Sequence, residues 1–491
     1  MPMTDSRPNI LLLVTDQHRA DCLGLAGHPV LQTPYLDELG AGGARFTQAY
    51  STCPVCVPAR RTLLTGQSES RHGVFTNYET TLSGPTLPGE LARAGYQTHL
   101  VGKLHLWPHR KLYGFASADW ADSPHRSPWV SDYDRFLERE GCRIPDGGTA
   151  HGCSQNGWAA RPWHLDERLH FTNWCADRAL EFLERRDPTV PFFLNVSFHQ
   201  PHQPCTPPQA YWDRYIDAEL PQPVVGDWAR VFPGPQRGLP VASWRTALEP
   251  AVMQQFRAGY YGCINHIDDQ IGRLLYRLPR NTVVLFVSDH GEMLGDHQWI
   301  RKTNGFQGSV HVPFLLRLPS SAGVPPGMVV DAPVGLMDVM PTLLELADAA
   351  CPEQVDGRSV LPLLRGEAAT RRPHLRGECA LVPTAGSGMQ FVTDGCTKLI
   401  WYPGTGRCQL FDLTHDPEER HDLAADPQWA DARARWEAVL VAELAGRPEG
   451  FVRDGRLQVL GGPTALCLPG FERQPLTFDH PIAHGAKLLL G

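Results

Sequence analysis

Four short apolar runs, each bounded by turn residues and each emptying into polar side chains, constrain this 491-residue chain more than any other feature. Ile10–Val14 ends at Thr15-Asp16-Gln17-His18, and Tyr96–Val101 leads into Gly102-Lys103-Leu104-His105. Phe192–Phe198 runs into His199-Gln200-Pro201-His202, and Thr282–Val287 ends at Ser288-Asp289-His290-Gly291. Between them lie helical patterns over Leu36–Ala44, Leu87–Ala94 and Val252 to Leu275, with a further strand at Val312–Leu316 and a helix at Leu336–Ala347. Strands alternating with helical segments predict βαβ units and a large, mainly parallel sheet flanked by helices, the α/β class. In such sheets ligands bind at the carboxyl ends of the strands. Any one of these polar residues could be a helix cap or a loop histidine; four strands all ending in Asp, Lys or His point instead to a common site.

The chain is too long for one compact core, so two domains are expected, the first large. A net charge of −8 with both signs mixed gives no basic face for nucleic acid. No 18-residue apolar run exists and the first residues lack a signal-like apolar stretch, so no membrane association and a cytoplasmic location are expected. Thirteen cysteines, an odd number without regular spacing, agree with free thiols in a reducing compartment. Only five of the 45 basic residues are lysines, which makes each lysine in a motif informative.

Cys56-Val-Pro-Ala-Arg60 opens a predicted helix that runs through Leu63-Leu64-Thr65 to Gly66. Cys53 and Cys56 also form a CxxC pair, which a redox dithiol or half a zinc site would use. No second CxxC exists to complete four thiolates, and a dithiol would want its own small βαβ setting. The run Cys-x-Pro-x-Arg with its Leu-Leu-Thr-Gly end resembles the signature of the sulfatase family. The resemblance covers Pro8 to His105, Phe192 to His202 and Thr282 to Ala347. It appears again in Lys398-Leu-Ile-Trp-Tyr-Pro and from Leu410-Phe-Asp-Leu to Glu419.

This resemblance implies an alkaline phosphatase-like catalytic domain over residues 1–370, with specificity insertions near 107–173 and 203–244. It further implies a smaller C-terminal α+β subdomain over 371–448, with a short antiparallel sheet and a helix near Trp429–Leu444. Residues 449–491 match nothing, and their Gly-Pro content suggests an irregular arm, expected at a homo-oligomer contact. By the same resemblance Cys56 is oxidised to formylglycine by a formylglycine-generating enzyme, and Arg60 holds the hydrated aldehyde. Lys103 then contacts the sulfate oxygens, His105 is the base, and His199 with Lys302 is the acid for the leaving alcohol. Asn77 corresponds to an asparagine that contacts the anion in some members.

Sulfate-ester hydrolysis needs a divalent cation to polarise the sulfuryl oxygens and fixed cations for the developing charge. Asp16, Gln17, Asp289 and His290 form a four-ligand set for one such ion. Gln17 and His290 stand where many members carry Asp and Asn, a combination similar to the branch of choline sulfatases and phosphonate monoester hydrolases. Imidazole favours manganese over an all-oxygen calcium cage, with Ca2+ and Mn2+ both in the expected set. Other departures are Phe306-Gln307 in place of Tyr-Glu and His311 in place of Arg.

The expectation is therefore a hydrolase of small aryl or alkyl sulfate esters. Phosphonate monoester or phosphodiester hydrolysis is the rival within the superfamily; a non-catalytic anion-binding protein with unconverted Cys56 is the rival outside it. Lys103 with His105 favours sulfate, because the resembling phosphonate branch tends to carry neutral hydroxyl residues there. Six of the thirteen tryptophans lie between Trp107 and Trp174, where they would line an aromatic pocket or simply pack the insertions.

Overall fold

A computed structural model describes residues 7–122, 130–142, 153, 156–231, 244, 247–382 and 387–471. Trp129, parts of both expected insertions and the arm beyond 471 lie outside the described residues.

Eight strands make the main sheet: β1 (Asn9–Asp16), β2 (Ala44–Phe46), β3 (Gln97–Gly102), β4 (Ser117–Trp120), β5 (Phe192–Pro201), β6 (Thr282–Ser288), β7 (Phe314–Arg317) and β8 (Met328–Val330). Their spatial order is β4-β3-β5-β1-β6-β7-β2-β8. Every neighbouring pair is parallel except the two that involve β7. Between β6 and β7 the described elements are the 3-10 turn Asp296–Gln298 and the short helix Gln307–Val310, with no long helix crossing a face of the sheet.

Strand β1 sits at the centre, and its alternation assigns the layers. Ile10, Leu12 and Val14 point to one face with Leu63, Leu64, Leu87, Leu91, Leu343 and Leu344. These belong to α2 (Cys56–Thr65), α3 (Leu87–Arg93) and α6 (Val339–Leu346). Leu11 and Leu13 point to the other face with Leu36, Leu39, Trp174, Ala179, Ile267 and Leu274. Those come from α1 (Pro34–Ala41), α4 (Phe171–Arg185) and α5 (Pro250–Arg277). All five β1 residues are essentially inaccessible, as expected of a strand covered on both faces. The first predicted helix stops at Ala41 because Ala44 already belongs to β2, and the predicted Leu336–Ala347 helix opens with a 3-10 turn over Leu336–Asp338.

After the main sheet, β9 (Leu375–Val382), β10 (Ser387–Thr393), β11 (Thr397–Tyr402) and β12 (Arg407–Asp412) form an antiparallel sheet in chain order. Trp436, Leu440 and Leu444 of α7 (Ala430–Leu444) pack on Val392, Leu399, Trp401 and Leu410. Its other face, with Phe391, Ile400 and Phe411, buries Tyr50, Trp228, Trp299 and Phe306. Lys398 and Glu419 form an ion pair at 2.5 Å within that second layer, and both are buried. The described part of the C-terminal arm pairs with its own chain: Phe75 N–H donates to the Leu466 carbonyl at 3.0 Å and Leu468 N–H to the Gly73 carbonyl at 2.8 Å.

Candidate active site

Register brings the polar strand ends together, because Val14 pairs with Ser197 on one side and Thr15 with Ser288 on the other. Asp16, Ser197 and Asp289 therefore leave the sheet at one edge. Lys103 reaches the same edge through Gly102, whose φ of +91° lies in the left-handed region. A Cβ there would stand 2.2 Å from the Ser197 carbonyl oxygen, so only glycine lets β3 turn against β5. Helix α2 supplies the remaining groups. Cys56 is its first residue, and Gly66, at φ 64°, closes it with the expected left-handed cap. Val55 provides no side-chain cap; the Asn77 Oδ1 accepts the Val57 N–H at 3.0 Å instead. The positive end of the helix thus points at residue 56, a ready anion site.

Six predicted residues meet directly. The Arg60 guanidinium donates through Nε to Asp289 Oδ2 at 2.9 Å and through Nη2 to Asp16 Oδ2 at 3.2 Å. Its Nη1 donates to the Lys103 carbonyl and the Ser197 hydroxyl, both at 2.9 Å. Lys103 Nζ lies 2.5 Å from Asp16 Oδ2. His290 Nδ1 donates to its neighbour's carbonyl, Gly291 O, at 3.0 Å, which leaves Nε2 facing the Cys56 sulfur at 3.1 Å. Such a bond on one ring nitrogen is how metal-binding histidines are oriented.

Electrostatics follow from this crowding of buried charge. Burial opposes ionisation of Asp16, but Lys103, His202, Arg60 and His290 hold its carboxyl well below the ordinary range. Burial and the neighbouring Asp16 push Asp289 the other way, up to about 6. Burial and Asp16 would also raise the Cys56 thiol, yet Lys302, Lys103 and His290 bring it well below its usual value. The cations over residue 56 are thus arranged for negative charge.

The other predicted residues form a ring around this centre. Gln17, at φ 72°, donates its backbone N–H to Asp289 Oδ1 at 3.1 Å and accepts from Lys302 Nζ on Oε1 at 2.5 Å. His199 Nε2 hydrogen-bonds the Gln203 carbonyl at 3.3 Å and its ring lies 4.9 Å from that of His202. His105, also left-handed at φ 56°, is fixed by its N–H to Asp122 Oδ1 at 2.6 Å. Its Nδ1 is buried and has no partner among the described residues. Left-handed non-glycine residues recur here, at Gln17, His105, Arg301 and Thr303, the kind of strain that surrounding structure maintains at functional sites. Asn77 is exposed and touches the group only through the α2 terminus.

Asp16, Cys56, Asp289 and His290 each offer a ligand atom, all within 4.8 Å of one another. Two buried carboxylates and an imidazole with its free nitrogen turned inward are a donor set suited to a divalent ion of borderline softness. In this arrangement the Cys56 sulfur takes the fourth place and Gln17 Oε1 is held by Lys302. Ser197, Gln203 and Glu292 were not singled out by their sequence, and His202 was noted only as the last residue of the His199 motif, although Gln203 follows directly on that motif and Glu292 comes just after Asp289-His290-Gly291. The two thiols of the CxxC pair are not joined: Cys53 Sγ contacts the Phe75 carbonyl at 3.6 Å, and both cysteines are free. Of the grouped tryptophans, Trp120 and Trp174 are packed into the two sheet cores and Trp107 is buried. Trp158 and Trp163 are half-buried: Trp158 packs against the cluster that includes Tyr260 and Ile264, and Trp163 lies edge-on to His164 and His170.

The chain is similar to known proteins over most of its length. The family profile described as Sulfatase matches residues 8–349, and that of N-sulphoglucosamine sulphohydrolase, C-terminal, matches 295–444. An arylsulfatase of Clostridium perfringens is 36% identical over 485 residues, which take in 94% of this chain and 98% of that protein. A choline-sulfatase of Rhizobium meliloti is 31% identical over 447 residues, 87% of this chain and 84% of that one. Among solved structures, the phosphonate monoester hydrolase of Agrobacterium radiobacter shares the fold with a TM-score of 0.77 at 24% identity, covering 96% of this chain and 100% of that one. The phosphonate monoester hydrolase SpPMH of Silicibacter pomeroyi gives 0.73 at 26% identity, covering 89% and 95%.

Proposed function

Since the chain belongs to the sulfatase family and is a sulfuric ester hydrolase, we propose that it cleaves a small aryl or alkyl sulfate ester to the alcohol and inorganic sulfate, with residue 56 matured to formylglycine as nucleophile beside one divalent metal ion. The observation that carries this is the position of Cys56 at the positive end of α2, 3.1 Å from His290 and under the charges of Lys103 and Lys302. A thiol there, bonded among the described residues to nothing else but Asp16 at 3.8 Å, is poised for chemistry and not for packing.

Asp16, Gln17, Asp289 and His290 would hold the metal, which when bound polarises the sulfuryl oxygens. Hydrated, the aldehyde supplies an attacking hydroxyl, so that one hard displacement becomes two easier steps. The protein's own groups do the rest. Arg60, tied to both carboxylates, orients residue 56. Lys103 and Lys302 stabilise charge that grows on the sulfuryl oxygens, in a buried site where such contacts are strongest. His105, with its unpartnered Nδ1, takes a proton from residue 56. His199, steadied on the Gln203 carbonyl, delivers one to the departing alcohol oxygen as its bond to sulfur breaks. Net, one water is consumed, its oxygen ending on sulfate. A cytoplasmic, homo-oligomeric protein and a formylglycine-generating enzyme as maturation partner complete the proposal.

The rival favoured by the structural neighbours is hydrolysis at phosphorus, since a phosphonate monoester has a similar tetrahedral shape. Both are tested together on protein co-expressed with a formylglycine-generating enzyme. Peptide mass spectrometry across Ser51–Arg61 should show a loss of about 18 Da at Cys56, sulfur and two hydrogens being replaced by one oxygen. The same sample should turn over an aryl sulfate faster than the matched phosphonate and phosphodiester. A thiol that persists at Cys56 in active protein, or undiminished activity in Cys56→Ser, would remove the mechanism; a faster phosphonate would transfer the assignment to the rival.

A further inference from the structure

Glu292 is fully buried beside the centre, and no cationic side chain among the described residues lies within ion-pair distance of it. Its carboxylate is instead held by N–H groups. Leu294 N–H donates to Oε1 at 3.0 Å, as does Arg301 N–H. Oε2 accepts from Gln203 Nε2 at 2.8 Å and from Gln17 Nε2. A side-chain amide has two faces of nearly the same shape, and only its partners decide which way it points. A carboxylate accepts and cannot donate, so it admits only the NH2 face of Gln17. Gln203 acts in the same sense: with its own NH2 committed to Glu292, its Oε1 is left to accept from Gln17 Nε2 at 2.7 Å. With both amide hydrogens of Gln17 engaged on this side, Oε1 is turned to the cation side, where Lys302 Nζ stands 2.5 Å away. The backbone of Gln17 is fixed as well, by Asp289 on N–H at 3.1 Å and by the Tyr260 hydroxyl on the carbonyl at 2.6 Å.

We propose that Glu292 is a positioning residue for the metal site: it locks the Gln17 amide with its carbonyl oxygen toward the cations, so that a neutral side chain serves as a dependable oxygen donor. The negative charge that an aspartate at position 17 would bring directly is supplied from behind, one residue further out. This inference rests on the metal-dependent reading given above.

The test is calorimetric titration of Mn2+ alone into chelator-stripped, full-length protein, with kcat/KM for an aryl sulfate measured in parallel. Glu292→Gln, isosteric but able to donate, frees the amide to flip, and Mn2+ binding should weaken by about 10- to 100-fold, the usual effect of losing an orienting partner. Glu292→Asp keeps an acceptor-only group and should lose less. In a Gln17→Asp background, which has no amide to orient, Glu292→Gln should change Mn2+ affinity by less than about threefold, well short of that orienting effect. Wild-type affinity in Glu292→Gln, an equal loss in both backgrounds, or a larger loss in Glu292→Asp than in Glu292→Gln would overturn the proposal, since a merely structural role suffers most from the lost methylene. Wild-type protein that binds neither Mn2+ nor Ca2+ would remove the metal reading itself, an outcome visible before any variant is made.

Discussion

Replacing Arg60 by methionine should expose how this site balances its charge before any metal enters. The guanidinium is 4% exposed and bridges both carboxylates, at 2.9 Å to Asp289 and 3.2 Å to Asp16. Without it Asp16 keeps Lys103 at 2.5 Å, whereas Asp289 keeps only the Gln17 N–H at 3.1 Å and His290 at 3.7 Å. The loss therefore falls on Asp289, and breaking a buried pair from one side costs about 3–5 kcal/mol. Burial and Asp16 already raise that carboxyl to about 6 from 3.8. A rise of that size sets roughly 3 kcal/mol against folding at neutral pH. An acid raised on folding is most favourable to the fold below its unfolded value, and that stability is lost as pH rises through the folded value. In Arg60→Met the Asp289 value rises further, so the deficit against wild type should be greatest at pH 7 to 8 and shrink toward pH 5. Asp16, held low, acts in the opposite direction only near and below its unfolded value of 3.8, outside that window. Urea unfolding of chelated protein, followed by tryptophan fluorescence at several pH values, measures this directly. Added Mn2+ should narrow the gap, because the ion replaces the missing cation. A deficit below about 1 kcal/mol at pH 7 to 8, far under the buried-pair cost, would refute the reasoning, as would one that stays constant from pH 8 to 5.

Lys103→Met should lower kcat by about 10²- to 10³-fold, the size of losing one preorganised charge at a developing anion, while the protein still binds Mn2+; a kcat within a few fold of wild type would remove Lys103 from the chemistry. Far from the reaction, Lys398→Met strands Glu419, its buried partner at 2.5 Å, and should destabilise the fold by about 3–5 kcal/mol. The double variant with Glu419→Leu should recover most of that loss in urea titrations, and no recovery would mean that the pair does more than neutralise itself.

The strands were legible because each is a contiguous apolar run, and burial on both faces leaves no alternation to misread: β1, β5 and β6 all begin within a residue of their predicted starts. What escaped was set by connection and not by composition. Nothing in Phe314–Arg317 announces that its strand runs backwards, since an antiparallel neighbour differs in how the chain arrives and not in which residues are buried. The centre of the site was legible for the same reason as the strands: Asp16, Lys103, Asp289 and His290 inherit their positions from the sheet edge. Residues held by the loops beyond it were not. Gln203 and Glu292 look like ordinary polar loop residues until the fold places their amide and carboxylate against Gln17 at hydrogen-bond distance. The departure of Gln17 from aspartate was visible in the sequence, but the carboxylate that orients its amide was not, because it lies 275 positions away and is marked only by where the fold buries it. The glutamine at position 17 is therefore better judged with the acceptor that orients it than alone: the buried carboxylate of Glu292 fixes which face of its amide turns toward Lys302.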